Sequence, residues 1–248
     1  MTHKNLLSGT IALAIAALST TAHAELTLGL NGSAYKSPYK AVDTEYFVFP
    51  AVSYDNEYVY FKGLGGGVYL VNQPQHELSV SARYGAHHFK PKDSDDRQLR
   101  QLDRRRSSVM AGLTYKYQAD WGDVTAELQG DVSDRSSGYV ADVSYGHVFN
   151  SGKLSVSPRI GAAYRDKKWN DYYYGVTGSE SRKSGLNRYK ADGAIQPYAQ
   201  LSVSYAMTPR WIGYASAYYE HLSNEAKDSP MVDRNYVGAL SAGMMYRF

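Results

Sequence analysis

The residues able to do chemistry in this sequence are scattered. His87 and His88 are adjacent, His147 and His221 lie far along the chain, and serines are abundant. A nucleophilic centre needs a base within hydrogen-bond reach of the nucleophile and a third group that orients the base. No spacing here pairs one serine with one histidine, so no catalytic residue is assigned and the chain is read as non-enzymatic. Neighbouring His87 and His88 would point to opposite faces of a strand and could not share a metal. The run Gly63-Leu64-Gly65-Gly66-Gly67 has the composition of a phosphate cradle without the strand–turn–helix setting that such a loop requires. With no cysteine, disulfides, thiolate metal sites and cysteine nucleophiles are excluded. No cofactor is expected, and 27 basic against 24 acidic residues are too balanced for a nucleic-acid binder.

Two polar stretches remain. Asp171-Tyr172-Tyr173-Tyr174-Gly175-Val176 is followed by Ser184-Gly185-Leu186 and surrounded by Arg165, Lys167, Lys168, Arg182, Lys183, Arg188 and Lys190. Three consecutive tyrosines cannot all face one way, so at least one is exposed or folded onto whatever lies beneath. The basic residues offer charge-assisted hydrogen bonds to lipopolysaccharide phosphates, or form an ordinary solvated loop face. A second cluster, Arg97, Arg100, Arg104, Arg105 and Arg106, is interspersed with Asp93, Asp95, Asp96 and Asp103, which points to internal ion pairing.

The elements that must position these loops are strands. The sequence has 24 tyrosines, 6 phenylalanines and 21% charged residues, and a mean hydropathy of -0.47. This excludes a helical membrane bundle and suits a barrel whose residues alternate between lipid and water. Leu78 to Tyr84, Val124 to Val132, Leu154 to Tyr164 and Pro197 to Tyr205 all alternate with period two. In the second of these, Glu127, Gln129 and Asp131 share a face that must be wet. Arg83, Lys116, Glu127, Asp131, Asp142, Arg159 and Arg247 are expected to face inward and compensate one another. Tyrosines at strand ends, among them Tyr35, Tyr54, Tyr84, Tyr115, Tyr117, Tyr139, Tyr164, Tyr205 and Tyr246, suit the aromatic girdles at the bilayer interfaces. Residues 1–24 read as a Sec signal peptide: Lys4, an apolar run from Ile11 to Leu18, and cleavage after Ala24 at Ala22-His23-Ala24. The predicted domains are therefore a cleaved leader, 1–24, and an outer-membrane barrel, 25–248.

The last strand ends on Phe248, with Tyr246, Met244, Ala242 and Leu240 on the same face. A terminal aromatic on an alternating strand resembles the signal read by the barrel assembly machinery of Gram-negative outer membranes, so Leu240, Met244, Tyr246 and Phe248 are assigned that role. Short breaks at 55–56, 72–75, 120–122, 150–152 and 208–209 suit periplasmic turns. Connections at 36–44, 90–107, 167–194 and 222–234 suit extracellular loops. Taking 58–71 as one strand gives an odd number, eleven, which a bacterial barrel disfavours. A turn within 63–67 would give an all-β, antiparallel barrel of twelve strands; an irregular start would give ten.

Several stretches together resemble the MltA-interacting protein/OmpV family. They are Ser37-Pro38-Tyr39, the run from Gly63 to Gly67, Leu102-Asp103-Arg104, Met110-Ala111-Gly112-Leu113, Asp171 to Val176, Ser184-Gly185-Leu186, Asp228-Ser229-Pro230-Met231-Val232 and Tyr246-Arg247-Phe248. The resemblance implies a non-enzymatic outer-membrane barrel. It also implies, as for the best-known member, a scaffold joining a membrane-bound lytic transglycosylase to a bifunctional penicillin-binding protein. Other members imply an adhesin or a protein of uncertain role, and a small-solute channel stays open. Periplasmic partners would have to meet the short turns, where Trp121 and Trp211 are the apolar anchors, unless both belong to the inner girdle.

Overall fold

Twelve antiparallel strands close into a barrel, in a computed structural model that describes residues 25–248. The predicted leader lies outside those residues. The strands are β1 Glu25–Lys36, β2 Glu45–Asp55, β3 Val59–Lys62, β4 Gly65–Asn72, β5 His76–Tyr84, β6 Val109–Ala119, β7 Gly122–Asp131, β8, β9 Leu154–Arg165, β10 Ala194–Ala206, β11 Trp211–His221 and β12 Tyr236–Arg247. β8 comes in two pieces, Tyr139–Gly146 and Phe149–Ser151, both paired to β9 and separated by a break at His147 and Val148. Every strand pairs with its sequence neighbour, and β1 pairs with β12 over ten residue pairs to complete the ring. No helix among the described residues is long and apolar enough to cross a membrane.

The strand count is settled at Gly63-Leu64. This two-residue turn splits the segment into β3 and β4, with Gly63 at φ 62° supplying the left-handed conformation the turn requires. Gly65, Gly66 and Gly67 belong to β4, so the turn is tighter than the whole glycine run. All five short breaks expected in the periplasm join strands at one end. The expected loops, the 63–64 turn and a further loop at 132–138 lie at the other.

Alternation sorts the wall as the period-two rule demands. Val48, Val80, Leu113, Leu128, Val143, Ile160, Ile195 and Leu240 point outward and are exposed, forming the lipid-facing band. Tyr46, Tyr84, Tyr139 and Tyr219 lie toward the outer ends, while Tyr58, Trp121, Tyr145, Phe149, Tyr205, Trp211 and Phe248 lie toward the periplasmic ends. Tyr35 departs from the girdle expectation: it faces inward and stacks on His88 at 6.2 Å. Inside, Arg159 pairs with Asp123 at 2.6 Å, Lys116 with Glu77 at 3.5 Å, and Tyr198 donates to Asp142 at 2.9 Å. Arg83 donates to Gln129 at 2.6 Å and lies 3.8 Å from Glu127. An ion left alone in such a lumen would be costly, and these pairings remove that cost. Asp131 differs from the expected compensation. Its carboxylate accepts from the backbone of Ser133, Arg135, Ser136 and Ser137, and so organises the 132–138 loop.

Candidate functional sites at the two ends of the barrel

The outer mouth is closed by its own loops. Four connections, 37–44, 85–108, 166–193 and 222–235, bury their apolar residues against one another, and this is where the hydrophobic core of the protein sits. Tyr39, Phe89, Leu99, Tyr173, Tyr174, Val176, Leu222, Ala226 and Met231 are each at most 2% exposed. The burial follows from the sequence of the third loop. Helix α1, Lys167–Tyr174, starts at Asp166, whose carboxylate accepts from the Trp169 N–H. It turns Trp169, Tyr173 and Tyr174 inward and leaves Tyr172 at the edge, where its hydroxyl takes the Arg106 N–H at 2.8 Å. Helix α2, Gly178–Ser184, begins with a capping box made by Thr177 and Glu180 and ends at Gly185 in the left-handed region.

Polar contacts knit the loops together. The Tyr39 hydroxyl donates to the Tyr173 carbonyl at 3.1 Å, and Arg234 donates to the Tyr39 carbonyl at 2.9 Å. The Ser229 hydroxyl donates to the Tyr174 carbonyl at 2.6 Å, within the turn made by Asp228, Ser229 and Pro230 after the short helix α3, Asn224–Lys227. At the centre, Arg105 meets Glu180 at 2.7 Å, with side-chain exposures of 8% and 0%, and also donates to the Gly175 carbonyl at 3.1 Å. Glu180 accepts in addition from the backbone N–H groups of Asp103 and Thr177, both at 2.9 Å. Burial alone would raise the Glu180 carboxyl, but those two N–H groups and the Arg105 guanidinium hold it below its ordinary value. The motif residues at 37–39, 171–176, 184–185 and 228–230 therefore converge in one place, as parts of the cap.

Beneath the cap lies a polar layer. Arg165 pairs with Glu220 at 2.7 Å, contacts Gln196, and lies under the Trp169 ring at 4.7 Å. Arg165 is thus buried, which removes it from the basic outer surface expected around α1. Lys168, Arg182, Lys183, Arg188 and Lys190 are exposed, and Lys167 pairs with Asp192. His87 packs edge-on against Trp169 at 4.7 Å. Burial, with Arg165 close by, pushes its imidazole down to about 3 and leaves it neutral. His88 is shifted the other way, raised by its hydrogen bond to Glu45 at 3.0 Å. The two histidines therefore have separate partners. Among the described residues no histidine nitrogen is hydrogen-bonded to a serine hydroxyl.

The periplasmic end is different. Trp121, in the β6–β7 turn, is 53% exposed and stacks on Tyr145 at 5.9 Å; Trp211, at the start of β11, is 42% exposed and meets Tyr246 edge-on at 5.2 Å. Four strands separate them, so they are two sites on the rim. Leu240, Met244 and Phe248 face outward, Tyr246 packs edge-on against Phe248 at 4.9 Å, and the Phe248 N–H donates to the Leu26 carbonyl at 3.1 Å.

Sequence reasoning missed Glu180, Glu220 and Gln196. Thr177-x-x-Glu180 is a capping-box pattern and was readable. Glu220 and Gln196 look like ordinary alternating strand residues, and only the cap above them explains their burial.

The family model described as MltA-interacting protein MipA matches residues 28–248. The chain is 40% identical to the MltA-interacting protein of Escherichia coli (strain K12) over 236 residues, 94% of this chain and 95% of that protein. It is 36% identical to the putative outer membrane protein YiaT of the same organism over 231 residues, covering 93% of this chain and 94% of YiaT. Among solved structures, an outer membrane channel from Pseudomonas putida F1 aligns at TM-score 0.46 and 12% identity, over 94% of this chain and 97% of the channel.

Proposed function

The chain belongs to the MltA-interacting protein family, and from that premise we propose that it is a non-enzymatic scaffold of the outer membrane. On this reading it holds a lytic transglycosylase and a bifunctional penicillin-binding protein at its periplasmic rim. The barrel itself, and its place in the outer membrane, follow from the closed ring of paired strands and from relatives named as outer membrane proteins. The observation that supports the scaffold is the similarity, along nearly the whole chain, to a protein named for its interaction with MltA.

The geometry agrees with that reading in two respects. The outer mouth is filled by a cap whose carboxylates and guanidinium groups are engaged with one another, which disfavours a solute channel. The periplasmic rim carries the exposed aromatics Trp121 and Trp211, in and beside short turns. Contacts confined to such turns are small compared with the ~1,200–2,000 Å² of a stable interface, so the association should be transient or divided between the two sites.

Photo-crosslinking in intact cells tests this. A photoreactive residue is placed at Trp121 or Trp211, and at Lys183 on the cap surface as the outward control. Capture of murein enzymes from the two rim positions supports the scaffold. Crosslinks from Lys183 alone, to host or surface ligands, would replace it with an adhesin; loss of acyl chains from lipopolysaccharide on expression would replace it with an enzyme.

A further inference from the structure

The barrel wall has a gap. β2 pairs with β1 along its whole length, but β3 is only four residues long and pairs with β2 only at Ser53, Tyr54 and Asp55. The Val52 carbonyl accepts from the Gly63 N–H at the 63–64 turn, so the peptide groups of even-numbered residues in β2 point away from β1. Above that turn, Tyr46, Val48 and Pro50 therefore direct their backbone groups at an edge with no strand beside it among the described residues. Pro50 places its missing N–H on this side, the position where a proline costs a sheet nothing.

The gap lies within the lipid-facing band. Tyr46 and Val48 point outward with exposures of 79% and 75%, and Tyr46 sits toward the outer interface. Backbone that is unpaired at membrane depth is tolerated only where it is covered by protein or lines a cavity. A cavity is present at the foot of the gap, of about 300 Å³, the lower end of ligand-site sizes. Its lining comes from β3 to β7 and includes Tyr60, Lys62, Leu64, Arg83, Tyr84 and Gln129, beside the 63–64 turn. On the β2 side of the gap Phe47 and Phe49 face inward, and Phe47 is 39% exposed.

The geometry points to a lateral portal in the outer leaflet that admits a single-chain anionic amphiphile, its chain lying along Phe47 and Phe49 and its headgroup meeting Arg83 and Lys62. The surrounding medium at this depth supplies acyl chains, and two phenylalanines give one a dry lining. Lys62 and Arg83 line the cavity together with Glu127, and Asp55 stands beside Lys62. Lys62 bonds Asp55 at 2.7 Å and Arg83 bonds Gln129, yet 59% and 46% of their side-chain surfaces stay open to a ligand. The proposal is independent of the scaffold reading, since it concerns the opposite half of the bilayer from the periplasmic rim.

The test uses the full barrel in phosphatidylethanolamine/phosphatidylglycerol nanodiscs and lauric acid carrying a chain-terminal diazirine, with adducts mapped by peptide mass spectrometry. Adducts are expected on Phe47, Phe49 or Tyr60, reduced at least tenfold by excess unlabelled laurate. Arg83→Gln should lower this labelling at least fivefold while leaving that by the neutral lauryl alcohol analogue unchanged. Phe49→Ser gives a second variant should Arg83→Gln not fold, as judged by heat-modifiable gel mobility, and should lower labelling by both probes. Adducts confined to outward-facing Val48, Val68 or Val80, or labelling that excess laurate does not reduce, would overturn the proposal. So would crosslinks from Phe47 to a second copy of the chain, which would make the free edge a site of strand pairing.

Discussion

Removing the Glu180 carboxylate should open the cap and leave the barrel standing. In the closed cap this group accepts from Arg105 at 2.7 Å and from two backbone N–H groups at 2.9 Å, all shielded from water. Glu180→Ala leaves a buried guanidinium with only the carbonyls of Asp103 and Gly175, and breaking one side of such a pair costs about 3–5 kcal/mol. At 1.4 kcal/mol per decade, hydrogen-exchange protection of segments 99–106 and 175–186 should fall by roughly two to three and a half orders of magnitude. The paired replacement Arg105→Met with Glu180→Leu removes both charges together and should recover most of the loss. Exchange is read by mass spectrometry in detergent, with heat-modifiable gel mobility reporting on the barrel. Unchanged protection in both segments, or loss of the barrel in Glu180→Ala, would refute the view that the cap is a separately stabilised layer centred on this pair.

Acid should loosen the same cap through His87. Its folded value near 3 lies below the ordinary 6.5, so an opened cap takes up the proton first and closure weakens as pH falls below 6.5, by roughly 2 kcal/mol at pH 5. Arg165, Arg83 and His88 oppose the charge on His87, and Glu220 favours it. Protonated His88 acts in the opposite sense, its contribution being full in acid and fading as pH rises through its raised value. His87→Gln should therefore reduce the loss of protection between pH 7 and pH 5; a pH dependence equal to that of the unmodified protein would count against this assignment. Deleting Phe248 should lower the amount of heat-modifiable barrel in outer-membrane fractions several-fold, and full assembly without it would remove the last strand from the role of assembly signal. In planar bilayers the intact protein should show little steady conductance, rising when residues 178–186 are deleted; large steady currents from the intact protein would show that the cap does not close the pore.

Much of the wall was legible because membrane strands obey a strict local rule. Alternation at Leu78 to Tyr84 or Val124 to Val132 needs no knowledge of the neighbouring strand, and the five short turns carry their own polar residues. Lumen pairs such as Arg159 with Asp123 could be placed on the right face but not matched, since pairing depends on register across strands. The cap was not legible. Tyr173, Tyr174, Tyr39 and Met231 come from three separate loops, and nothing in any one of them states that the others will cover it. Tyr35 was misplaced against the alternation rule itself: Leu26, Leu28 and Leu30 mark the even face of β1 as apolar and Thr27, Asn31 and Ser33 the odd face as polar, which already turns Tyr35 inward. The turn at Gly63-Leu64 was located by an argument about parity, whereas the missing ladder beside Tyr46, Val48 and Pro50 becomes visible only when β3 is seen to be four residues long.

The seam between β1 and β12 has a kinetic consequence. Every other junction in the ring joins consecutive strands, and five of those junctions are tight periplasmic hairpins, so most of the wall can grow by local contacts. The seam joins residues such as Ser33 and Ser241, which are 208 positions apart and share a 2.7 Å hydrogen bond. Closing a free loop of that length costs about 5 kcal/mol in chain entropy, against ~1–2 kcal/mol for a short hairpin. Contact order is therefore concentrated in one step, and the rate of folding should respond to substitutions at the seam more than to those in any hairpin. A catalyst that held β1 in place while β12 arrived would remove most of that barrier without touching the rest of the barrel.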